Sequence, residues 1–514
     1  MAVPHIVWFK RDLRLHDHAP LWHASQQNAP IIPLYIVEPN YWNQPFASRR
    51  HWHFIHDCLT DLEKGLRQLG QPLIVRVGEA CEVIKELHCQ RGVAKLWAHE
   101  ETADLWTFER DKAVWETCTN LGIQVQEFPT NGVIRRLKSR DNWSVIRNQR
   151  VSTTVFPKSK KLLPVANVEG VTLPAKDHPM FGAQLTGTTQ KGGRHRAIED
   201  LQSFLEERSS NYLRYISAPG ASEFSCSRLS AHLAFGALST REVVQALDRR
   251  RKQLSPMDKT KFARNLTAFG SRLAWRCHFI QKLEDQPSIE THCMHPAFEG
   301  LREKEHREDY FEAWKAGQTG IPFVDACMRS LISTGWITFR MRAMLVSFAS
   351  YQLWLDWRKT APYLAGLFTD YEPGIHYSQF QMQSGVTGIN AIRIYNPIKQ
   401  GLDQDLKGIF VSKWVPELRH IKDEAIHQPW LQEQTLFRAK SDQKDATYPT
   451  PIVDLTLSVK AAKDKLAAVR KSEAFFMKKN AVYTRHGSRK RAAKSKSQKP
   501  KPNQLKLFCS EAPL

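Results

Sequence analysis

Gly335-Trp336-Ile337-Thr338-Phe339-Arg340, running on through Asp356-Trp357-Arg358 to Arg393-Ile394-Tyr395-Asn396-Pro397, is the stretch on which the reading of this chain turns. Its surroundings, residues 196–475, are helical in pattern: apolar side chains recur at three- and four-residue spacing over 196–213, 240–251, 259–283, 322–334 and 339–357. Trp275, Trp314, Trp336, Trp354 and Trp357 all fall in this half, and strand signals are nearly absent. Upstream the pattern changes. Residues 6–9, 31–37, 73–77, 95–98 and 125–128 are short apolar runs of β type, separated by helical patterns such as 50–69 and 102–119. Such alternation predicts a parallel sheet with helices on both faces. Ligands of such sheets sit beyond the carboxyl ends of the strands. No GxGxxG occurs, so a dinucleotide fingerprint is excluded.

A chain of 514 residues exceeds one ordinary core. The pattern divides it into an α/β domain over 1–130, a connector over 131–195, a helical domain over 196–475 and a basic, disordered tail over 476–514. The formal net charge is +22, which points to a polyanionic partner, most simply nucleic acid. The stretch 485–501 carries eight Lys or Arg and no acid, so most of the excess belongs to the body. Nine cysteines lack any CxxC spacing, which predicts reduced thiols and a cytoplasmic protein. No run is long and apolar enough to span a bilayer, and the strand-like His5-Ile6-Val7-Trp8-Phe9 leaves no room for a signal peptide. A monomer is expected, with no metal site.

With these residues in view, the chain resembles the photolyase/cryptochrome family over nearly its whole length, from Val7-Trp8-Phe9-Lys10-Arg11-Asp12-Leu13-Arg14 to Lys413-Trp414-Val415-Pro416-Glu417-Leu418. The resemblance implies a Rossmann-like antenna domain, an all-α FAD-binding domain and blue light as the trigger. Ser225-Cys226-Ser227-Arg228-Leu229-Ser230, followed by His232-Leu233-Ala234-Phe235-Gly236, is similar to the family's phosphate-binding turn. Hydroxyls and free backbone N–H groups at a helix start suit a pyrophosphate, although alone they read as an ordinary serine-rich cap. Ala274-Trp275-Arg276 matches the family helix whose Trp lines the base-receiving cavity and whose Arg approaches the flavin. Tyr212, Ser225, Cys226, Ser227, Leu229, Ser230, Arg272, Arg276, Asp370, Glu372 and His376 are the implied cofactor contacts. Trp275, His376, Trp357 and Arg340 are the implied catalytic residues.

Departures from the family pattern matter as much. Arg272 stands where repairing members carry a lesion-holding Glu, and Phe339 replaces an Asn. His376 takes the position facing the reactive flavin nitrogen, where it can serve as a hydrogen-bond donor or a proton source. The family's three-tryptophan relay counts to Phe380, Trp357 and Lys304, so electrons need another chain, through Trp275, Trp336, Trp354 or Tyr377. Glu109, on the helix after strand 95–98, is the candidate contact for a folate or other antenna; its plain reading is a surface pair with Arg110 or Lys112. The irregular spacing of Cys226, Cys277, Cys293 and Cys327 argues against an iron–sulfur cluster. Gln504-Leu505-Lys506-Leu507-Phe508 is similar to the peptide by which bacterial DNA enzymes hold the sliding clamp. Together these imply light-driven repair of pyrimidine dimers in DNA by reduced FAD, a deoxyribodipyrimidine photo-lyase activity. The alternative is a cryptochrome-type photoreceptor without repair.

Overall fold

The computed structural model describes residues 2–431 and 448–487. Five strands, β1 (His5–Phe9), β2 (Ile31–Val37), β3 (Ile74–Val77), β4 (Lys95–His99) and β5 (Gln124–Phe128), form one parallel sheet in the order β3-β2-β1-β4-β5. All seven residues of β2 are buried, as expected of an inner strand covered on both faces. Pro33 is tolerated there because pairing with β3 begins only at Leu34, opposite Ile74. Strand order reverses between β1 and β4, both paired to neighbours on opposite sides. A crevice is expected at that switch point, outside the carboxyl ends of the strands.

The second half is helical, and its long helix Pro256–Asp285 shows why. Phe262, Leu266, Phe269, Leu273, Cys277 and Ile280 repeat at three- and four-residue spacing and are all buried. Ser255 caps its start by accepting from the Asp258 N–H, and Pro256 occupies the first turn, where its missing N–H costs nothing. Helix Pro373–Gln383 packs against it so closely that a Cβ on Gly374 would lie 2.5 Å from the Ile280 Cα.

The predicted strands hold to within a residue at each end, and helix Pro322–Thr334 has the predicted bounds. The expected helix over 339–357 does not. It stops at Ser347, passes through a π-helical turn at Phe348–Gln352, and restarts at Trp357. Trp354 sits at φ +53 in the break, a conformation no helix interior accommodates. The connector carries a helix of its own, Trp143–Ser152. The tail boundary at 476 is corrected: helices Leu455–Lys471 and Glu473–His486 form a hairpin at the end of the helical half. Phe475 is buried there, stacked on His295 with ring centres 4.4 Å apart, so this segment is anchored by packing. Residues 504–508 lie outside the described residues.

Three basic side chains of the first half are sewn into the second. Arg11 donates to the carbonyls of Ala234 (3.0 Å) and Tyr371 (2.6 Å). Arg50 donates to Ile332 O (2.6 Å), and His51 Nε2 to Phe368 O (2.9 Å). Gly236, at φ +70, lets the chains meet: a Cβ there would lie 2.3 Å from Arg11 O.

Candidate functional site

The turn singled out in the sequence is built as follows. A short helix ends at Ser225, Cys226 is extended, Arg228 takes the left-handed region at φ +61, and Ser230–Ala234 resumes helical geometry. Arg208 holds the turn by donating to the carbonyls of Cys226 and Ser227, and the Gln190 amide donates to Arg228 O at 2.8 Å. The Cys226 N–H is itself engaged, donating to Ser222 O at 2.9 Å. No side chain caps the start of helix Ser230–Ala234. Two of the predicted hydroxyls are differently placed from expectation. Ser225 is buried and its Oγ donates to Ala221 O at 3.0 Å, so it is structural. Ser227 Oγ accepts from the Leu229 N–H at 3.4 Å. Leu229 is buried, and burial pushes the Cys226 thiol up to about 12, leaving it an inert thiol.

Two acid–base pairs lie in the helical half. Asp370 accepts two parallel hydrogen bonds from Arg342, each 2.9 Å. Burial pushes its carboxyl up, but Arg342, Ser230 and Arg228 outweigh burial and hold it below the usual carboxylate range. Glu372 pairs with Arg276, which also donates to Leu233 O at 2.9 Å. Arg340, one of the implied catalytic residues, donates from Nε to Ser217 Oγ at 2.9 Å. Sequence reasoning missed Arg342, and it missed Arg228, whose guanidinium lies 4.0 Å over the Trp336 ring.

Arg272, Trp275 and Tyr212 form a third group. The Arg272 guanidinium sits 4.6 Å from the Trp275 ring centre and donates to the Tyr212 phenol. Tyr212 is buried against Phe204 and Phe269.

His376 is buried, and its Nε2–H donates to Ala361 O at 2.9 Å. Burial pushes its imidazole down to about 3. It is therefore a neutral ring with its proton fixed on the Ala361 side, and the expectation that it supplies a proton is corrected. Phe380 lies 4.6 Å from it, Tyr371 and Tyr377 each 5.3 Å. Trp357 is buried with Arg358 over its ring at 4.8 Å, and it has no aromatic neighbour among the described residues. Lys304 is exposed.

At the switch point, an open cleft lies between the two halves. Lys10, Arg11 and Asp12 after β1, and His99, Glu100 and Glu101 after β4, line it from one side, and Arg276 and Glu372 from the other. Asp12 Oδ2 accepts from His18 Nε2 (2.9 Å) and His99 Nδ1 (2.6 Å). The trio is close enough to suggest a metal. However, the Leu21 N–H donates to His18 Nδ1 at 3.1 Å, which leaves the ring proton on Nε2, the atom a metal would need. Glu109 is not in this cleft. It lies on the exposed face of helix Leu105–Asn120, paired with Lys112 at 2.8 Å, which is its plain reading.

The comparisons agree with this architecture. Residues 5–177 match the family signature described as DNA photolyase, and residues 269–468 match the FAD binding domain of DNA photolyase. A deoxyribodipyrimidine photo-lyase of Streptomyces griseus is 29% identical over 468 residues, covering 88% of this chain and 96% of that one. A cryptochrome DASH of Xenopus laevis is also 29% identical, over 88% of this chain and 91% of the other. The crystal structure of a bacterial class III photolyase from Agrobacterium tumefaciens superposes with a TM-score of 0.77 at 25% identity, covering 92% of this chain and 98% of that one.

The residues present fit FAD. The start of helix Ser230–Ala234 carries no side-chain cap, and the Arg342–Asp370 and Arg276–Glu372 pairs supply both donors and acceptors for the edges of a flavin ring. The parallel-sheet domain, the helical FAD-binding domain and both signatures place the chain in the photolyase/cryptochrome family.

Proposed function

We propose that the protein repairs pyrimidine dimers in DNA by light-driven electron transfer. Bound FAD, reduced and excited by light, supplies the electron that splits the dimer. The observation that carries the reading is the two ion pairs Arg276–Glu372 and Arg342–Asp370 in the helical half that also carries Trp275, in a chain of net charge +22. Trp275 is half-buried on helix Pro256–Asp285, where its ring can stack on a base turned out of the duplex. Unstacking is cheapest for a damaged base, which selects for the lesion. The basic excess holds phosphates and steers DNA to the site in a salt-dependent way. Neutral His376 fixes its proton on Ala361 and so holds one ring orientation. A second, light-collecting chromophore, a folate or another, belongs to this reading. The clamp-like residues 504–508 suit tethering to the replication machinery of a bacterium.

One observation favours the second reading, a photoreceptor without repair. Arg272 replaces the lesion-holding Glu and is already engaged with Trp275 and Tyr212, so the pocket has the opposite charge. The experiment that separates the two is dimer loss from defined oligonucleotides on illumination of the photoreduced protein, against dark controls.

A further inference from the structure

The hairpin of helices Leu455–Lys471 and Glu473–His486 turns one side inward and leaves the other in the open. On its second helix Phe475, Val482 and His486 are buried, and His486 Nε2 donates to Gln286 Oε1 at 2.7 Å. The outer side carries large apolar residues: Phe476 is 59% exposed, Met477 71%, and Leu457 on the first helix 66%. Around them, residues 455–487 hold eight Lys or Arg against two acids. Lys460, Lys463, Lys471, Lys478 and Lys479 are exposed. Of the hairpin's lysines, only Lys465 has an acidic partner among the described residues, Glu305.

Lysines alone would read as a solvated face, and one exposed apolar side chain is ordinary. An open ring set among unpaired cations asks for a partner that is both anionic and flat-faced. A second copy of the chain would bring like charge against like charge. Nucleic acid supplies phosphates for the lysines and base faces for the ring. In a duplex those faces are closed by stacking; only an unpaired base can lie against a side chain standing on a helix. We propose that the hairpin binds single-stranded DNA, Phe476 stacking on an unpaired base while Lys478 and Lys479 hold the flanking phosphates. The inference rests on the DNA reading above.

Two further observations support this occupant. Lys479 stands one turn on from Phe476 on the same side of the helix, with its Nζ 5.9 Å from the ring centre, so cation and ring face one nucleotide together. The hairpin is also joined to the site by direct contacts. Arg470 donates to Asn390 O at 2.7 Å, and five residues on, the Tyr395 N–H donates to Ser347 Oγ at 3.1 Å. Ser347 ends the helix Phe339–Ser347, whose first turn carries Arg340, and Arg393 is exposed between the two contacts. A strand leaving the site along residues 390–396 therefore meets the hairpin.

The test is fluorescence anisotropy in the dark, with the full chain and an undamaged labelled oligothymidylate of about 16 nucleotides, single-stranded or annealed to its complement. Phe476→Ala should weaken single-strand binding about tenfold and leave duplex binding unchanged. Phe476→Trp should restore it, which a loss of fold would not allow. Lys478→Ala with Lys479→Ala should lower the slope of log affinity against log salt by about 0.7 per lysine on the single strand. Equal single-strand affinity in parent, Phe476→Ala and the lysine variant, at unchanged circular dichroism, would overturn the proposal. So would binding to anionic phospholipid vesicles that Phe476→Ala abolishes while single-strand affinity stays as in the parent. Dimer repair is measured separately on the same proteins. Loss of the hairpin effect with repair intact strikes this proposal alone; absent repair with the hairpin effect intact strikes the repair reading and leaves the hairpin as a DNA contact.

Discussion

Arg342 grips Asp370 through two parallel N–H···O bonds of 2.9 Å each, and Asp370 in turn reaches Ser230 at the end of the Ser225–Ser230 turn. One carboxylate thus joins the helix Phe339–Ser347 to the turn on which the cofactor's pyrophosphate is expected to rest.

The pair is a forked one, and only an arginine makes it. Arg342→Ala leaves Asp370 buried and short of its main partner, a loss of about 3 kcal/mol in stability. Arg342→Lys keeps the charge and loses the fork, so a smaller loss is expected. In both, the FAD-to-protein ratio after purification should fall, more for Ala than for Lys, while circular dichroism remains that of a folded helical protein.

Glu290 makes stability fall with rising pH. Burial, reinforced by Asp104, pushes its carboxyl up to about 8, even though the Leu105 N–H donates to Oε2 at 2.7 Å. The folded protein therefore holds this proton when the unfolded chain has released it. The contribution is full below the ordinary carboxylate range and is lost as pH climbs through 8. Glu290→Gln should gain on the parent in thermal melts as pH rises over this window and match it in mild acid. A difference that does not change with pH would show that Glu290 is not protonated in the fold.

Phe380 packs on His376 but is not an oxidisable ring. Phe380→Leu should therefore photoreduce at close to the parent rate with thiol as donor. A large loss at unchanged flavin content would mean that this position carries electrons after all.

The interface glycine gives a structural check on how the two halves meet. Gly236→Ala places a Cβ 2.3 Å from Arg11 O and 2.4 Å from Asp12 Cα, at a φ that disfavours any side chain. A loss on the order of 1–3 kcal/mol is expected, read as a lower melting temperature.

Much of this molecule was legible in its sequence because its signals are local. β2 is a continuous apolar run, and helix Pro322–Thr334 announces both ends, with Pro322 in the first turn and Gly335 just past the last. The site was legible less evenly. Arg340 and Arg342 stand two apart on one helix, and residues at that spacing point to different sides, so only packing reveals which one meets Asp370. Glu109 was the carboxylate singled out near β4; Glu101, which precedes the helix, lines the cleft instead, whereas Glu109 faces solvent. The break at 348–356 carries no proline or glycine to mark it.

The most direct test is repair itself. The purified protein, carrying FAD and photoreduced in the presence of thiol, is illuminated with blue light on oligonucleotides holding a single defined cyclobutane or (6–4) dimer, with dark controls. Light-dependent conversion of one of these to intact pyrimidines, with many turnovers per protein and none in the dark, is the predicted result. A flavin-loaded, photoreducible protein that binds DNA yet restores neither lesion would contradict the repair reading and leave the photoreceptor in its place.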